Sequence, residues 1–449
     1  MNYDIAIIGG GPAGYNAAYR AVESGMNTLL FEPSELGGVC LNQGCIPTKT
    51  LLYSAKLLDQ SKLAEKYGIL GTGQASFDLS KMIGRKNKVV KKLTAGIQMK
   101  LQSDGVTIVR SHAKILGETE NGIRIGYQEG EYLVSNVLIC TGSDTIVPPI
   151  KGLNEMDYWT SKEALESTEL PASLAIIGGG VIGIEFASFF NSLGVKVTLI
   201  EALPEILGNM DAELSKMLRQ EYSKKGVAFL LDTMVTEVQQ NELVVQKGSQ
   251  TDRISVDKVL VAVGRKPNVE NLGLENLGIA HSKKGIEVND RMQTNHPRVY
   301  ASGDVTGFSM LAHTAIREAE VAIANIAGAQ ESMSYQAIPW VVYTNPELAG
   351  VGLSEAELNM NNQPYRLIKL PMAYAGRFVA ENEMGNGLSK LLVDADGKIL
   401  GCHMLGNPAS EMIVLAGMGI EKGLTIEDFK QLVFPHPTVG EILHESLYQ

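Results

Sequence analysis

The sequence predicts an α/β chain: two βαβ units in series on mostly parallel sheets, then a smaller α+β domain. Three observations carry this. The apolar strand Ile5-Ala6-Ile7-Ile8 runs into Gly9-Gly10-Gly11-Pro12-Ala13-Gly14, and a second, Leu174 to Ile177, runs into Gly178-Gly179-Gly180-Val181-Ile182-Gly183. Each glycine run opens helix-like sequence and is followed by a short strand ending in an acid, Thr28 to Glu32 and Val195 to Glu201. From about Met333 strands and helices continue without such a run. Strand, helix and strand in alternation require parallel pairing.

Taken in order, a helical, Lys-rich stretch from Leu51 to Ser103 interrupts the first unit before the strand Val106 to Val109. The second unit closes near Val259 to Pro267. A return strand, Val299 to Asp304, ends in a Gly-Asp turn and leads into a helix through Ile326. The expected divisions are 1–145, 146–270, 271–330 and 331–449. No low-complexity linker separates them, so they should pack against one another.

Of 449 residues, 45% are hydrophobic and 20% charged, enough for two or three domains with large cores. A net charge of −11 without a long basic run argues against nucleic-acid or anionic-membrane partners. Met1-Asn2-Tyr3-Asp4 leads straight into a strand, with neither the basic start nor the cleavage site of a signal peptide. The apolar stretch from Leu174 to Phe190 is broken by glycines and Glu185, so it does not read as membrane-spanning. Four cysteines make no secreted disulfide framework. A cytoplasmic enzyme with small-molecule ligands is expected, and there a close cysteine pair points to catalysis.

A lone GxGxxG says little, and its bland reading is a ligand-free turn. Here each copy has its strand, its helix and its acid, the context that makes the pattern a dinucleotide site. Gly9, Gly11 and Gly14, like Gly178, Gly180 and Gly183, let backbone approach a pyrophosphate, whose charge the helix N-terminus stabilises. Glu32 and Glu201 become ribose anchors, and an acid at Glu201 repels a 2′-phosphate, favouring NAD over NADP.

Just downstream lie Cys40 and Cys45, in Gly37-Gly38-Val39-Cys40-Leu41-Asn42-Gln43-Gly44-Cys45-Ile46-Pro47-Thr48-Lys49. Five residues on an ideal helix set side chains about 140° apart, so pairing needs a distorted turn, which the glycines permit. Pro47 suits a helix first turn and puts Cys45 near a helix N-terminus, where a thiolate is stabilised. Two merely packed cysteines are the bland alternative, and a zinc site lacks two further ligands in the segment. Two dinucleotide sites and one thiol pair imply a relay, with FAD between a dithiol and NAD. Asp304 is placed to bind the ribityl chain of that FAD, though it could be an ordinary turn aspartate.

Thiol–disulfide exchange needs a proton acceptor. His436 is the strongest candidate, held extended by Pro435 and Pro437 just before a helix. The bland role of Glu441 is to cap that helix, in a Thr438-x-x-Glu441 capping box; the sharper one is to orient the His436 ring, and the two are compatible only if Glu441 faces His436. His112, His281, His296, His403 and His444 read as surface or core residues, and His313 as one that helps shape the flavin site. Lys49 could be a surface lysine or approach the flavin, paired with Glu185. Cys140 and Cys402 read as core.

At these residues the chain resembles the flavoprotein disulfide reductases (class I pyridine nucleotide-disulfide oxidoreductases), most closely the dihydrolipoamide dehydrogenase branch. The resemblance spans nearly the whole chain: Gly37 to Lys49, Gly178 to Glu201, Gly264-Arg265-Lys266-Pro267-Asn268, Gly303-Asp304, Met310-Leu311-Ala312-His313, Tyr343-Thr344-Asn345-Pro346-Glu347 and His436-Pro437-Thr438. It implies two Rossmann-like dinucleotide-binding domains plus a C-terminal dimerisation domain. It also implies reoxidation of protein-bound dihydrolipoamide through a Cys40–Cys45 disulfide and FAD to NAD+. Carried over, Cys40 is the interchange thiol and Cys45 the thiol against the flavin. His436, supplied by the partner subunit of a homodimer and oriented by Glu441, is the base. FAD contacts would fall at Glu32, Lys49, Ala113, Thr141, Gly142, Ser143, Asp304, Met310, Leu311, Ala312 and His313, and NAD contacts at Gly178 to Gly183, Glu201 and Gly264. The expected partner is a separate lipoyl-bearing protein, the E2 lipoyl domain of a 2-oxoacid dehydrogenase complex or a glycine cleavage H protein.

Phe434 stands where many relatives carry another histidine, Gly440 where many have serine, and Cys140 replaces a usual alanine. A glutathione-reductase-like enzyme would prefer NADP, against Glu201. Mercuric reductase needs a terminal cysteine pair, and no cysteine follows Cys402; soluble transhydrogenase lacks the first redox cysteine, present here. A mainly structural subunit of a multienzyme complex is the alternative from another class.

Overall fold

The structure is a computed structural model and describes Tyr3–Gln449 apart from Asn209 and Met384. Met1 and Asn2, where the leader-free start was read, lie outside the described residues.

The first unit runs β1 (Tyr3–Ile8), α1 (Pro12–Glu23), β2 (Thr28–Phe31), α2 (Gly38–Gln43), α3 (Cys45–Leu63), α4 (Leu79–Ser103), β3 (Thr107–Val109), β4 (Lys114–Thr119), β5 (Gly122–Tyr127) and β6 (Gly130–Ile139). Its sheet is ordered β3-β2-β1-β6-β5-β4, parallel from β3 to β6 and antiparallel from β6 to β4. Ile5, Ile7, Leu29 and Leu30 are wholly buried: Ile5, Ile7 and Leu30 share a core with Ala13, Ala17 and Ala21 of α1, and Leu29 shares one with Ile115 of β4 and Ile123 and Ile125 of β5. The helical stretch expected over 51–103 is two helices. The first ends at Leu63 and is continued by a 3-10 turn over Ala64–Tyr67, which Gly68 stops in a left-handed conformation, and Asp78 caps α4 by accepting from the Lys81 amide.

The second unit follows β7 (Ser143–Thr145) and α5 (Ser161–Glu166). It comprises β8 (Ser173–Ile177), α6 (Val181–Ser192), β9 (Lys196–Ile200), α7 (Ala212–Lys224), β10 (Ala228–Leu230), the antiparallel trio β11 (Met234–Gln239), β12 (Glu242–Lys247) and β13 (Gln250–Ser255), and β14 (Lys258–Val261). Its parallel sheet is ordered β10-β9-β8-β14. The expected closing segment divides: β14 completes the sheet, whereas β15 (Arg265–Pro267) leaves it and pairs antiparallel with β7. After the small hairpin β16 (His281–Ser282) and β17 (Gly285–Ile286), β18 (Val299–Ala301) rejoins the first sheet parallel to β6 and leads into α8 (Ala312–Ile326).

The remaining chain is β19 (Trp340–Val342), β20 (Leu348–Gly352), α9 (Glu355–Met360), β21 (Arg366–Pro371), α10 (Gly376–Asn382), β22 (Leu388–Val393), β23 (Ile399–Leu405), α11 (Ala409–Lys422), α12 (Ile426–Lys430) and α13 (Glu441–Ser446). The five strands form an antiparallel sheet, β19-β20-β23-β22-β21. Val342, Leu348, Leu388 and Leu405 of this sheet share one core with Phe186, Phe190 and Leu218 of the second unit, the packing expected without linkers. Beside that core Lys390 Nζ, fully buried, donates to Asp211 at 2.6 Å and also pairs with Glu355. Cys140 and Cys402 lie in cores, as expected. Among the described residues, no helix is long and apolar enough to cross a membrane.

Strand register sets the functional edge. Ile8 stands beside Phe31 and Ile139, and Ala301 beside Ile139, so Gly9, Glu32, Cys140 and Ser302 follow at the carboxyl ends of adjacent strands. Ile177, Ile200 and Val261 align likewise ahead of Gly178, Glu201 and Ala262. Ligands of open parallel sheets bind at this end.

Candidate active site

The two glycine turns are built alike. Gly9 and Gly178 both have φ +109°, and a Cβ on either would lie 2.2 or 2.4 Å from a carbonyl oxygen, of Cys140 or Ala262. A Cβ on Gly14 or Gly183 would strike the carbonyl of Gly9 or Gly178, so helix and strand pack too closely for any side chain. Helices α1 and α6 start after Gly11 and Gly180 with no side chain capping them, which leaves their first amides for an anion. No atom lies within 4 Å of a Cβ built on Gly180, and only Gly38 Cα, at 3.8 Å, near one on Gly11. Glu32 accepts from the Gly10 and Ser34 amides, both at 2.8 Å. Glu201 accepts from Gly179 at 2.6 Å and Leu203 at 2.8 Å. Backbone fixes both carboxylates and leaves each with lone pairs for ribose hydroxyls. Two pyrophosphate cradles with their acids fit two dinucleotides.

The thiols sit against the first cradle. Gly38 packs on Gly11, so α2 begins where the first dinucleotide would lie. Gly44, at φ −145° and ψ −110°, breaks the helix between the cysteines and brings them together, as their five-residue spacing required. Asn42 Nδ2 donates to the Leu36 and Gly38 carbonyls at 3.0 and 2.9 Å, and Thr48 Oγ1 to Gly44 at 2.6 Å, tying this turn down. Cys45 is the first residue of α3, as Pro47 suggested. The two sulfurs differ. The Cys40 thiol donates a hydrogen bond to Cys45, and this bond, with Lys49 and against burial, brings Cys45 down to about 7. The same bond and burial push Cys40 up. Tyr15 of α1 faces the pair; burial first, then both thiols, raise its hydroxyl.

Lys49 Nζ reaches Glu185 at 2.9 and 2.8 Å, from α3 to α6. Glu185, 3% exposed, also accepts from the Tyr343 amide at 3.0 Å, while Lys49 Nζ lies 4.6 Å above the Tyr343 ring. First unit, second unit and C-terminal sheet therefore meet at one carboxylate. Tyr343 was quoted only as part of a motif; the aromatic residue ahead of Asn345-Pro346 was the available signal.

Thr141, Gly142 and Ser143 are bound to the segment that follows Gly264, itself read as an NAD contact. Thr141 Oγ1 donates to Asn268 at 2.7 Å, Asn268 N–H to Gly142 at 2.9 Å, and Arg265 Nε to Ser143 Oγ at 2.8 Å. Ser143 in turn donates to Asp304 Oδ2 at 2.5 Å. Gly264 stands at φ +125°, and a Cβ there would meet only Ile146 Cδ1, at 3.7 Å. Ala113 is buried behind the sheet edge, and Met310 and Leu311 lead into the uncapped start of α8 at Ala312. His313 Nε2–H donates to the Pro339 carbonyl at 2.8 Å, and burial lowers its pKa. Arg265 and Asn268 were quoted only as part of a motif, and Glu318, whose side chain lies beneath Gly303, had no role in the sequence reading.

His436 Nδ1 lies 2.8 Å from Glu441 Oε1, with the imidazole 79% exposed. Glu441 Oε2 accepts from the Thr438 amide at 2.7 Å, and these bonds hold its carboxyl below the usual range. The capping box is not completed: α13 begins only at Glu441, and Thr438 Oγ1 donates back to Pro435. Glu441 thus faces the ring through Oε1 while Oε2 makes the glutamate half of a capping box. Phe434 packs on His444 (centroids 5.2 Å), and a side chain on Gly440 would meet only Thr438 Oγ1, at 3.8 Å. His112 and His281 are exposed, His296 and His444 half-buried, and His403 lies within the C-terminal sheet.

A thiol pair against one dinucleotide cradle, with a second cradle of the same geometry, defines a two-dinucleotide disulfide oxidoreductase. Residues 3–319 match the pyridine nucleotide-disulphide oxidoreductase model and 338–447 the dimerisation domain of the same group, and the chain belongs to that family. It is 39% identical to the dihydrolipoyl dehydrogenase of Thermus scotoductus, over 99% of this chain and 96% of that one. To a dihydrolipoyl dehydrogenase of Bacillus subtilis it is 36% identical, over 99% and 97%. The HOCl-induced flavoprotein disulfide reductase RclA from Escherichia coli superposes with a TM-score of 0.87 at 28% identity, over 99% of both chains.

Proposed function

We propose that the protein is a dihydrolipoyl dehydrogenase, which reoxidises protein-bound dihydrolipoamide and passes two electrons through Cys40–Cys45 and FAD to NAD+. The observation that carries this is the thiol pair at the start of α3, packed through Gly38 on the Gly9–Gly14 cradle, with its two sulfurs in unequal environments. The relatives' names support the substrate.

FAD, when bound, supplies the two-electron carrier between the dithiol and the nicotinamide. Glu32, Thr141 to Ser143, Asp304 and Met310 to His313 would hold it, and Gly178 to Gly183, Glu201 and Gly264 the NAD. The substrate dithiol, losing a proton to His436 of the partner subunit, attacks Cys40 of the disulfide and releases Cys45 as thiolate. Its second sulfur then displaces Cys40, giving the cyclic disulfide and two enzyme thiols. Cys45, stabilised by Cys40 and Lys49, faces the flavin. Glu441 holds the His436 ring, and the Lys49–Glu185 pair sets Lys49 against the flavin.

The working unit is a homodimer. The dimerisation-domain match supports it, as do Val414 (60% exposed) and Met418 (46%) of α11 and Val433 (96%), apolar side chains that a second copy would cover. We assign 1–145 and 271–330 to the FAD domain, 146–270 to the NAD domain and 331–449 to the interface, place the enzyme in the cytoplasm, and take its partner to be a lipoyl-bearing protein.

The test compares steady-state turnover of dihydrolipoamide with NAD+ against glutathione disulfide with NADPH, on yellow purified protein. Robust NADH formation in the first assay is expected. Turnover only in the second would establish a glutathione-reductase-like enzyme, and none in either a structural subunit.

A further inference from the structure

Glu318 lies on α8, wholly buried, and among the described residues no cation pairs with it. Buried carboxyls are ordinarily paired with a cation. This one instead accepts two hydrogen bonds: from the Gly303 amide at 2.6 Å on Oε2, and from the Tyr335 hydroxyl at 2.7 Å on Oε1. Gly303 stands at φ +82°, and a Cβ there would press on Ala315 and Ala13, so the turn is pinned between α8 and α1. The next residue is Asp304, which Ser143 and, through it, Arg265 hold from the other side.

We infer that Glu318 is a positioning residue for the flavin: it fixes the Gly303 amide, and with it the turn that presents Asp304, under the control of Tyr335. This rests on the reading that Asp304 faces FAD. Tyr335 belongs to the segment leading into the C-terminal sheet and stacks on Phe308 (centroids 5.6 Å), so the grip on the turn is tied to how that sheet is seated.

Other groups around Glu318 are few. Asp304 lies across the turn, Tyr335 above, and Cys140 at the end of β6, where its buried thiol is also raised by Glu318. Arg20 on α1 is engaged by Glu23 and Glu320. Burial first, with the Asp304 charge, pushes Glu318 up to about 7, while the bonds from Tyr335 and Gly303 oppose the shift. A protonated carboxyl still accepts from Gly303 through its carbonyl oxygen and donates to Tyr335. Ionisation therefore leaves the turn in place but sets a second negative charge behind Asp304.

The experiment uses oxidised holoenzyme without reductant, so that Cys40 and Cys45 are a disulfide and do not titrate. FAD retention is followed by ultrafiltration and flavin fluorescence from about pH 5.5 to 8.5, with circular dichroism and dimer mass as checks on folding. Wild type should show an inflection near 7. Glu318→Gln, neutral but able to accept from Gly303 and donate to Tyr335, should keep the fold and flatten the profile. Tyr335→Phe, which removes the bond favouring the carboxylate, should move the inflection to higher pH. A flat wild-type profile, an inflection that persists in Glu318→Gln, or one unmoved in Tyr335→Phe would overturn the inference. Wild type unable to bind added FAD would instead overturn the flavin reading, and this inference with it.

Discussion

Lys49 and Glu185, 136 positions apart, form a largely buried ion pair that joins the helix bearing Cys45 to the helix that opens the second dinucleotide cradle. Removing one partner strands a charge. Lys49→Met, leaving Glu185 uncompensated, should destabilise by about 3–5 kcal/mol in denaturant titrations, and Lys49→Met/Glu185→Leu by clearly less than the sum of the single changes. Additive single effects would show that the two do not act as a pair.

Cys45 near 7 makes the reduced enzyme pH-dependent in a set direction. Below that value its thiolate is lost; above it, the thiolate dominates. Ultraviolet thiolate absorbance of the dithiol form should therefore rise with a midpoint near 7. Cys45→Ser should abolish this transition, and Cys40→Ala, which leaves no donor, should move it upward by removing the largest stabilising bond. A midpoint unchanged in Cys40→Ala would contradict the thiol–thiolate assignment.

His436 should act only on the dithiol half of the reaction. His436→Gln is expected to lower turnover of dihydrolipoamide by about 10²- to 10⁴-fold while NADH still reduces the flavin. If the base comes from the partner subunit, inactive His436→Gln and inactive Cys40→Ser homodimers, unfolded and refolded together, should regain about a quarter of wild-type activity, since half the dimers carry one intact site. No recovery in verified mixed dimers would place the base within its own chain.

Glu201 should decide the nicotinamide. Its oxygens are fixed by Gly179 and Leu203, so the acid cannot swing aside for a 2′-phosphate. Wild type should prefer NAD+ strongly by kcat/KM; Glu201→Ser should raise KM for NAD+ and narrow the preference, which competing-cofactor kinetics would read directly. Efficient NADP+ turnover by wild type would refute the assignment.

Much of this site could be read from local pattern. The glycine runs, their acids and the Cys40–Cys45 spacing encode chemistry within about 25 residues of chain, because a strand–turn–helix is a local structure whose sterics each residue enforces itself. Glu441 beside His436 was legible for the same reason, though not that one carboxylate would meet both the ring and the Thr438 amide.

What only the tertiary structure decided lies between segments far apart in sequence. That Thr141 to Ser143 are tied to Arg265 and Asn268, that Tyr343 shares a carboxylate with Lys49, and that Glu318 sits beneath Gly303 depend on strand register and domain packing. A residue type fixes which bonds a side chain can make. Only the fold, by burying it against particular neighbours, fixes which ones it does make, and so the charge that it carries.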